Sequence, residues 1–184
     1  MSKILYFDCF SGVSGDMILG ALVDCGLKLS DLKKELAKLK LGAFELRSKT
    51  VKRGHFSGTK IDIEAKKPMR FSNLKEMLTV IDKSAVDSDS KAKISGIIEK
   101  LAQAEAKVHK QTPQSVHFHQ LGELDTIIDI AGSVLGAKLL GIEEMYSSTF
   151  TLGTGIVYYK NESFPLPAPA TLEKQSKYKI LLIM

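Results

Sequence analysis

Residues 117 to 130, HFHQLGELDTIIDI, carry the side chains that metal and acid–base chemistry use: two histidines one residue apart, then three acidic residues within an apolar pattern. If this segment starts as a strand, His117 and His119 point to the same face. Their Cα atoms then lie roughly 7 Å apart, because each extended residue advances about 3.3 Å. Two imidazoles at that spacing suit one shared cation, and they equally suit two solvated side chains. The pair alone leaves both interpretations open.

The residues that follow predict a helix from 123 to about 141. Its apolar positions recur at helical spacing and fill one arc: Leu124, Ile127, Ile128, Ala131, Leu135 and Leu139. Asp125 and Asp129 lie four apart at the edge of this arc, where like charges repel, and Gly132 and Gly136 continue that edge. The glycines would let another backbone come close, and a lysine or metal ion would compensate the two carboxylates. Asp125 is also explained as a favourable helix N-terminal acid, an explanation that is weaker for Asp129.

A second candidate site is FDCFSGVSGDM near the N-terminus. Asp8 stands near the end of the apolar run KILYFDCF, which predicts a central strand covered on both faces, and ligand sites in open α/β sheets form at such strand ends. Gly12 and Gly15 allow tight backbone geometry, and the next helix offers free amides to an anion. Asp8 and Asp16 would repel a bare phosphate, so the loop fits a metal-bridged phosphate or a carboxylate-ligated cation. Ser14 or Asp16 is equally explained as the helix N-cap.

The elements that must position these residues alternate between strands and helices. We expect a helix after the glycine–serine loop, a second one capped by Ser30 or Asp31, a third after Asn73 and a long fourth one over about 90–110. Residues 44–53 and TKIDIEA predict a hairpin, SVHFH a short strand, and FPLPAPAT a segment that is not helical. The fold class is therefore α/β or α+β, with a mixed sheet and packed helices. DKSAVDSDS is the best linker candidate, so a division of region 1–173 into two subdomains near 83–90 is one option.

Composition excludes several classes of protein. The 184 residues, 44% of them apolar, suffice for one core and a small second unit. No apolar run is long enough for a membrane span and the N-terminus does not have a signal-peptide pattern, so we expect a cytoplasmic protein. Two cysteines predict reduced thiols, with Cys25 in the core. The net charge of +5 includes only three arginines and no tryptophan, which argues against a nucleic-acid partner and fits a small phosphorylated ligand or solvated lysines.

Four motifs in this order, YFDCFSGVSGDM, HFHQLGELDTIIDIAG, LGTG and PLPAPATLE, resemble those of the LarC family over nearly all of residues 3–173. That family inserts nickel into pyridinium bisthiocarboxylic acid mononucleotide, so the resemblance implies a nickel insertion reaction that depends on CTP and on Mn²⁺ or Mg²⁺. Gln120 stands where the family typically has Glu, and Asn161 with Glu162 where it usually has His-Gly. Family members are longer and carry a C-terminal domain, whereas residues 174–184 form an atypical tail. The resemblance thus implies a partner that carries the missing domain.

The resemblance also implies roles for the candidate residues. Ni²⁺ would be held by His117 and His119, with Asp8 and Asp125 as oxygen ligands, and the ring proton would leave to a base, Glu123 or Asp129 or a neutral histidine. The phosphate of the mononucleotide or of CTP would lie on the N-terminal loop, at Ser11, Gly12, Ser14, Gly15 and Asp16. Two other classes stay open: a non-catalytic nickel- or nucleotide-binding subunit, and a metal-dependent phosphohydrolase. A homo-oligomer is compatible with each of them.

Overall fold

Six helices and three two-stranded sheets make up the described part of the chain, residues 2–159 and 162–177 of a computed structural model. The strands are β1 (Lys3–Phe7), β2 (Phe44–Arg53), β3 (Phe56–Ala65), β4 (Ile142–Ser147), β5 (Gly155–Tyr159) and β6 (Glu162–Leu166). The helices are α1 (Gly15–Asp24), α2 (Leu29–Ala37), α3 (Leu74–Lys83), α4 (Ser88–Val108), α5 (Leu124–Leu139) and α6 (Pro169–Lys177). Strands β1 and β4 run parallel, whereas β2 with β3 and β5 with β6 form antiparallel hairpins. The predicted mixture of strands and helices is confirmed.

Helix α5 lies in the middle of the hydrophobic core, where α1, α2 and α4 pack against it. A Cβ on Gly132 would lie 2.8 Å from a methyl group of Leu19, and one on Gly136 would lie 3.0 Å from a methyl group of Leu22. The two glycines therefore receive leucine side chains from α1, and the expected close approach of a second backbone was wrong. Leu139 is 42% exposed, so the buried arc of the helix ends before it.

The hairpin of β2 and β3 is the one that the alternating sequence predicts, with Ile61 buried beneath it. It lies across α1, whose Gly20 would bring a Cβ within 2.0 Å of the Thr59 carbonyl oxygen. The Asp24 carboxylate fixes the same contact, because it accepts hydrogen bonds from the Thr59 N–H (3.0 Å) and hydroxyl (2.6 Å). The absence of a side chain at Gly20 thus sets the distance between α1 and the hairpin.

Strand β1 is not the central strand, covered on both faces, that its apolar sequence predicts. Its only strand neighbour in the described residues is β4, and Ile4 and Tyr6 are 59% and 62% exposed. Leu5, on the opposite face, packs against the core. An apolar strand is buried on both faces only where a layer covers each face, and the described residues supply one layer here.

Residues 116 to 119 do not form the predicted strand. Val116 and Phe118 are buried while His117 and His119 are exposed, so the alternation of an extended segment is kept. The Phe118 N–H donates to the carbonyl of Ser72 (2.9 Å), but no ladder forms within the described residues. Val116 and Phe118 therefore enter the core without the support of a paired strand in the described residues.

The boundaries of two helices differ from those expected. Helix α2 begins at Leu29 with Lys28 as N-cap, and neither Ser30 nor Asp31 caps it. Helix α6 begins at Pro169, so the end of the proline run is helical after all. Proline is tolerated there because the first turn of a helix has unpaired N–H groups in any case.

Helices α3 and α4 are confirmed, and α3 carries the predicted cap. The side-chain oxygen of Asn73 accepts the Glu76 N–H (3.0 Å), and the Glu76 carboxylate accepts the Ser72 N–H (2.7 Å). In α4, Ile97 and Val108 are 42% and 37% exposed, so they lie outside the buried face of the helix. The buried line instead comprises Ile94, Ile98, Ala102 and Ala106.

Three further features concern the core and its surroundings. Cys25 is exposed and Cys9 is buried, so the expectation of a buried Cys25 was wrong. The segment between α3 and α4 buries Ser84 and Val86, and the subdomain division near 83–90 stays a prediction. In the described ranges, no helix combines the length and apolar character needed to cross a bilayer. Asn161 and the tail from 178 to 184 lie outside the described residues.

Candidate functional site

The carboxyl ends of the two parallel strands lie side by side, and the N-terminal loop starts there. The Ser148 N–H, which follows β4, donates to the Phe7 carbonyl (2.8 Å), and the Ser148 hydroxyl accepts the Cys9 N–H (2.8 Å). Gly12 has a φ of +84° and donates its N–H to the Cys9 carbonyl (3.0 Å), a turn that an L side chain would strain. These bonds hold the loop against the end of β4, in the position where α/β folds place ligand sites.

Helix α1 starts directly after this loop. Ser14 occupies the N-cap position, but its side chain caps no backbone amide; its hydroxyl donates instead to the carboxylate of Asp16 (2.5 Å). Asp16 lies in the first turn, where the helix dipole favours a negative charge. Ser11 and Asp8 are exposed on the same loop. The predicted N-cap role is therefore confirmed for the position of Ser14 and not for its side-chain bond.

Helix α1 meets α5 at Gly15 and Asp129. A Cβ on Gly15 would lie 2.4 Å from both the Cβ and the Oδ2 of Asp129, so the Asp129 side chain rests on the glycine. The Asp129 Oδ1 is buried and has no hydrogen-bond partner in the described residues. A buried polar atom without a partner costs free energy, so such atoms are rare in folded proteins and are found at functional sites.

The surroundings of Asp129 favour its protonated form. Burial is the largest cause, followed by the nearby carboxylates of Asp16 and Asp125, and together they raise the pKa of Asp129 to about 7. A carboxyl group with that pKa is close to half protonated at neutral pH, so it can accept or release a proton. The edge of α5 that the sequence singled out therefore carries a carboxyl group with a near-neutral pKa beside two further carboxylates.

A cleft of about 400 Å³ opens beside the N-terminus of α5, and both Glu123 and Asp125 line it. Arg70, which also lines the cleft, lies 3.5 Å from the Glu123 carboxylate and donates to the carbonyl of His119 (3.0 Å). A Cβ on Gly122 would lie 2.0 Å from the Phe71 carbonyl oxygen, so the two segments are in close contact. Asp125 thus faces the cleft and also acts on Asp129.

The structure brings together four of the predicted residues: Gly15, Asp16, Asp125 and Asp129. Across the described ranges, no group of three or more His, Cys, Asp and Glu side chains is placed to hold a metal ion. The ligand set of Asp8, His117, His119 and Asp125 therefore stays a prediction. The sequence missed Arg70, and it missed His109, whose ring lies beside that of His119 with 6.0 Å between centroids. Neither residue has a local pattern that distinguishes it, although His109 is one of only four histidines.

The contact between Gly15 and Asp129 makes a testable prediction. We expect Gly15→Ala to lower the free energy of unfolding by about 1–3 kcal/mol and to displace the Asp129 carboxylate, because the new Cβ overlaps the Asp129 side chain. Urea unfolding measures the loss. Gly153→Ala is the control, since its Cβ would meet only an ordinary 3.7 Å contact. Equal stabilities of the two variants would contradict the close packing of Asp129 on Gly15.

Comparison with known proteins identifies relatives over nearly the whole chain. The family model described as "Nickel insertion protein" matches residues 5–180. A homologue from Dictyoglomus thermophilum, also named for nickel insertion, is 43% identical over 171 residues, which cover 93% of this chain and 44% of the relative. The "Pyridinium-3,5-bisthiocarboxylic acid mononucleotide nickel insertion protein" of Desulfitobacterium hafniense is 42% identical, over 93% of this chain and 42% of its own length.

The protein with that same name from Staphylococcus epidermidis is 39% identical, over 94% of this chain and 44% of its own length. The chain therefore spans less than half the length of the curated relatives it matches. No solved structure was found to match it.

Proposed function

We propose that this chain, which belongs to the nickel insertion protein family, forms part of an enzyme that inserts nickel into pyridinium-3,5-bisthiocarboxylic acid mononucleotide. In this proposal Asp129 is the proton acceptor. The observation that supports this role is the buried Asp129 Oδ1, which has no partner in the described residues and belongs to a carboxyl group with a pKa of about 7.

The chemistry of insertion requires such a group. A nickel–carbon bond forms at a ring carbon while the carbon–hydrogen bond breaks, so one proton must pass to a base. A base with a pKa near the working pH combines a sufficient unprotonated fraction with adequate proton affinity. Asp129 meets this condition, whereas the Glu123 carboxylate is already engaged with the guanidinium of Arg70, 3.5 Å away. Asp129 is thus the better candidate of the two predicted catalytic residues.

We assign the phosphate-binding role to the N-terminal loop. Its predicted residues, Ser11, Gly12, Ser14, Gly15 and Asp16, lie between the end of β1 and the first turn of α1. Helix N-termini attract anions, and Asp16 would add a ligand for the Mn²⁺ or Mg²⁺ that accompanies CTP. The loop ends at Gly15, against which Asp129 packs, so a mononucleotide held here would place its ring near the proposed base.

We propose that the exposed side of β1 is covered by the polypeptide that the longer relatives have beyond the matched region. The apolar face of Ile4, Tyr6 and Tyr146 has no cover in the described residues, although parallel strands are normally buried on both faces. Because the relatives are more than twice as long as the matched region, their remaining polypeptide is available to cover it. This placement would also bring that polypeptide close to the N-terminal loop that follows β1.

We expect Tyr6→Ser to weaken binding of this chain to the separately produced remainder of the enzyme at least tenfold, because the substitution removes a large apolar contact. Isothermal titration calorimetry measures the affinity. Phe56→Ser is the matched control, since Phe56 is 78% exposed at the tip of the β2–β3 hairpin, which is a different sheet from that of β1 and β4. Unchanged affinity of the Tyr6 variant would contradict the placement of the partner.

Reconstitution tests the function itself. The purified chain is mixed with the remainder of the enzyme, CTP, Mg²⁺ or Mn²⁺, Ni²⁺ and the mononucleotide, and mass spectrometry detects nickel bound in the product. Formation of the nickel product only when both polypeptides are present would support the proposal. Nickel binding without transfer would favour a non-catalytic subunit instead, and release of phosphate from simple nucleotides without nickel would favour a phosphohydrolase.

A further inference from the structure

We propose that His109 and His119 together form a binding site for Ni²⁺ on the surface of the chain. Their rings lie with centroids 6.0 Å apart and planes tilted by 46°. His109 follows α4 directly and His119 lies shortly before α5, so the two histidines are ten positions apart in the sequence. The pairing differs from the one that the sequence suggests, in which His117 is the partner of His119.

The distance between the rings permits one ion to bind both. A metal–nitrogen bond of about 2.1 Å places the ion roughly 3.2 Å from the centroid of each ring, so two rings on one ion lie up to roughly 6.4 Å apart. The observed separation is within that limit. Both side chains are exposed, and a small rotation about their side-chain bonds would bring the two nitrogens to right-angled or tetrahedral positions.

His109 is oriented by Glu105, one helical turn earlier. The Nε2 of His109 lies 3.4 Å from the Glu105 Oε1, and this Glu105 side chain is only 14% exposed. With Nε2 beside this carboxylate, Nδ1 is the ring nitrogen left for a metal, and a nearby carboxylate is common around metal-binding histidines. His109 is also the C-cap of α4, where the helix dipole favours a positive charge. Both features favour a cation at Nδ1 of His109.

The backbone of His119 is fixed although its ring is exposed. Its carbonyl accepts a hydrogen bond from Arg70 (3.0 Å), and the neighbouring Phe118 is buried, with its N–H bonded to the Ser72 carbonyl. The guanidinium of Arg70 is balanced by the Glu123 carboxylate at 3.5 Å. The backbone that carries the second imidazole is therefore held in place, and only the side chain has to adjust to an ion.

Two imidazole ligands leave the other coordination positions of the ion to water, so this site would bind nickel weakly enough to release it. Imidazole suits Ni²⁺, and a metal that is to be transferred must leave its first ligands. The inference rests on the proposed function only for the identity of the metal. The carbonyl of His119 accepts a hydrogen bond from Arg70, which lines the cleft, so the backbone that carries this ligand adjoins the cleft.

Titration of the full chain with Ni²⁺ tests the site without any assay of insertion. We expect one site whose affinity falls at least tenfold in His109→Ala and also in His119→Ala, with no further loss in the double variant, because both remove the same site. His55→Ala is the control and should bind as the unmodified chain does, since His55 is exposed and outside the pair. His117→Ala distinguishes this pair from the pair of His117 and His119. Circular dichroism confirms that each variant is folded.

The proposal is overturned if His109→Ala binds nickel as tightly as the unmodified chain, and the neighbouring pair of His117 and His119 is then the better candidate if His117→Ala binds weakly. Asp129→Asn should leave nickel affinity unchanged. Failure of the reconstituted reaction with intact nickel binding would therefore refute the proposed function and leave the histidine site standing.

Discussion

Replacing Asp129 by Asn is expected to lower the rate of nickel insertion by about 10²- to 10⁴-fold, the contribution that a positioned general base usually makes. Asn keeps the shape of the side chain and its packing on Gly15, but it cannot take up the ring proton. The rate is measured with both polypeptides, saturating Ni²⁺ and CTP. Asp89→Asn, a change of an exposed acid in the first turn of α4, is the matched control and should retain full activity.

The same substitution should make the fold more stable at alkaline pH. The pKa of Asp129 is raised to about 7, so between pH 4 and 7 the folded state keeps a proton that the unfolded state releases. The free energy of unfolding therefore falls as the pH rises through this range. For a partly exposed carboxyl group the loss is about 2 kcal/mol once screening by solvent is allowed for.

Urea unfolding at pH 4 and pH 8 measures this effect. The Asn variant should match the unmodified chain at pH 4 and exceed it by about 2 kcal/mol at pH 8, because it carries no charge to bury. If the Asn variant is inactive but its free energy of unfolding depends on pH as that of the unmodified chain does, Asp129 does not titrate as the structure indicates. A fully active variant would remove Asp129 from the mechanism.

Gly20→Ala should cause a large loss of stability for the addition of a single methyl group. The new Cβ would lie 2.0 Å from the carbonyl oxygen of Thr59, a backbone atom that cannot move away without the whole β3 strand. We expect the free energy of unfolding to fall by about 3 kcal/mol, because overpacking here also breaks the hydrogen bonds from Thr59 to Asp24. The midpoint of urea unfolding gives the value.

Gly96→Ala is the matched control for this prediction. Gly96 also lies inside a helix, but a Cβ there would meet no atom within 4 Å. Alanine is favoured over glycine in a helix interior, so this variant should gain up to about 1 kcal/mol. If Gly20→Ala were as stable as Gly96→Ala, the close contact between α1 and β3 would not exist in solution.

Local patterns were sufficient to predict most elements of the fold. Helix α5, the cap of α3 by Asn73 and Glu76, and the β2–β3 hairpin follow from spacing within a few residues, because helix and strand periodicity are local properties. The errors have a common cause. Strand β1 was expected to be covered on both faces, and the start of α6 was expected to be non-helical, because burial and tertiary support cannot be read from a few neighbouring residues.

The sequence by itself determined which residue types are available: an acidic edge on α5, a glycine-rich loop before α1 and the motifs of a nickel insertion family. Only the tertiary structure decided what these residues do to one another. Asp129 acquires its raised pKa because α1 packs Gly15 and Asp16 against it from more than a hundred residues away, and His119 acquires His109 as its neighbour because α4 ends beside the segment before α5. The strength of a base and the geometry of an ion site depend on distances across the fold, and sequence spacing does not set those distances.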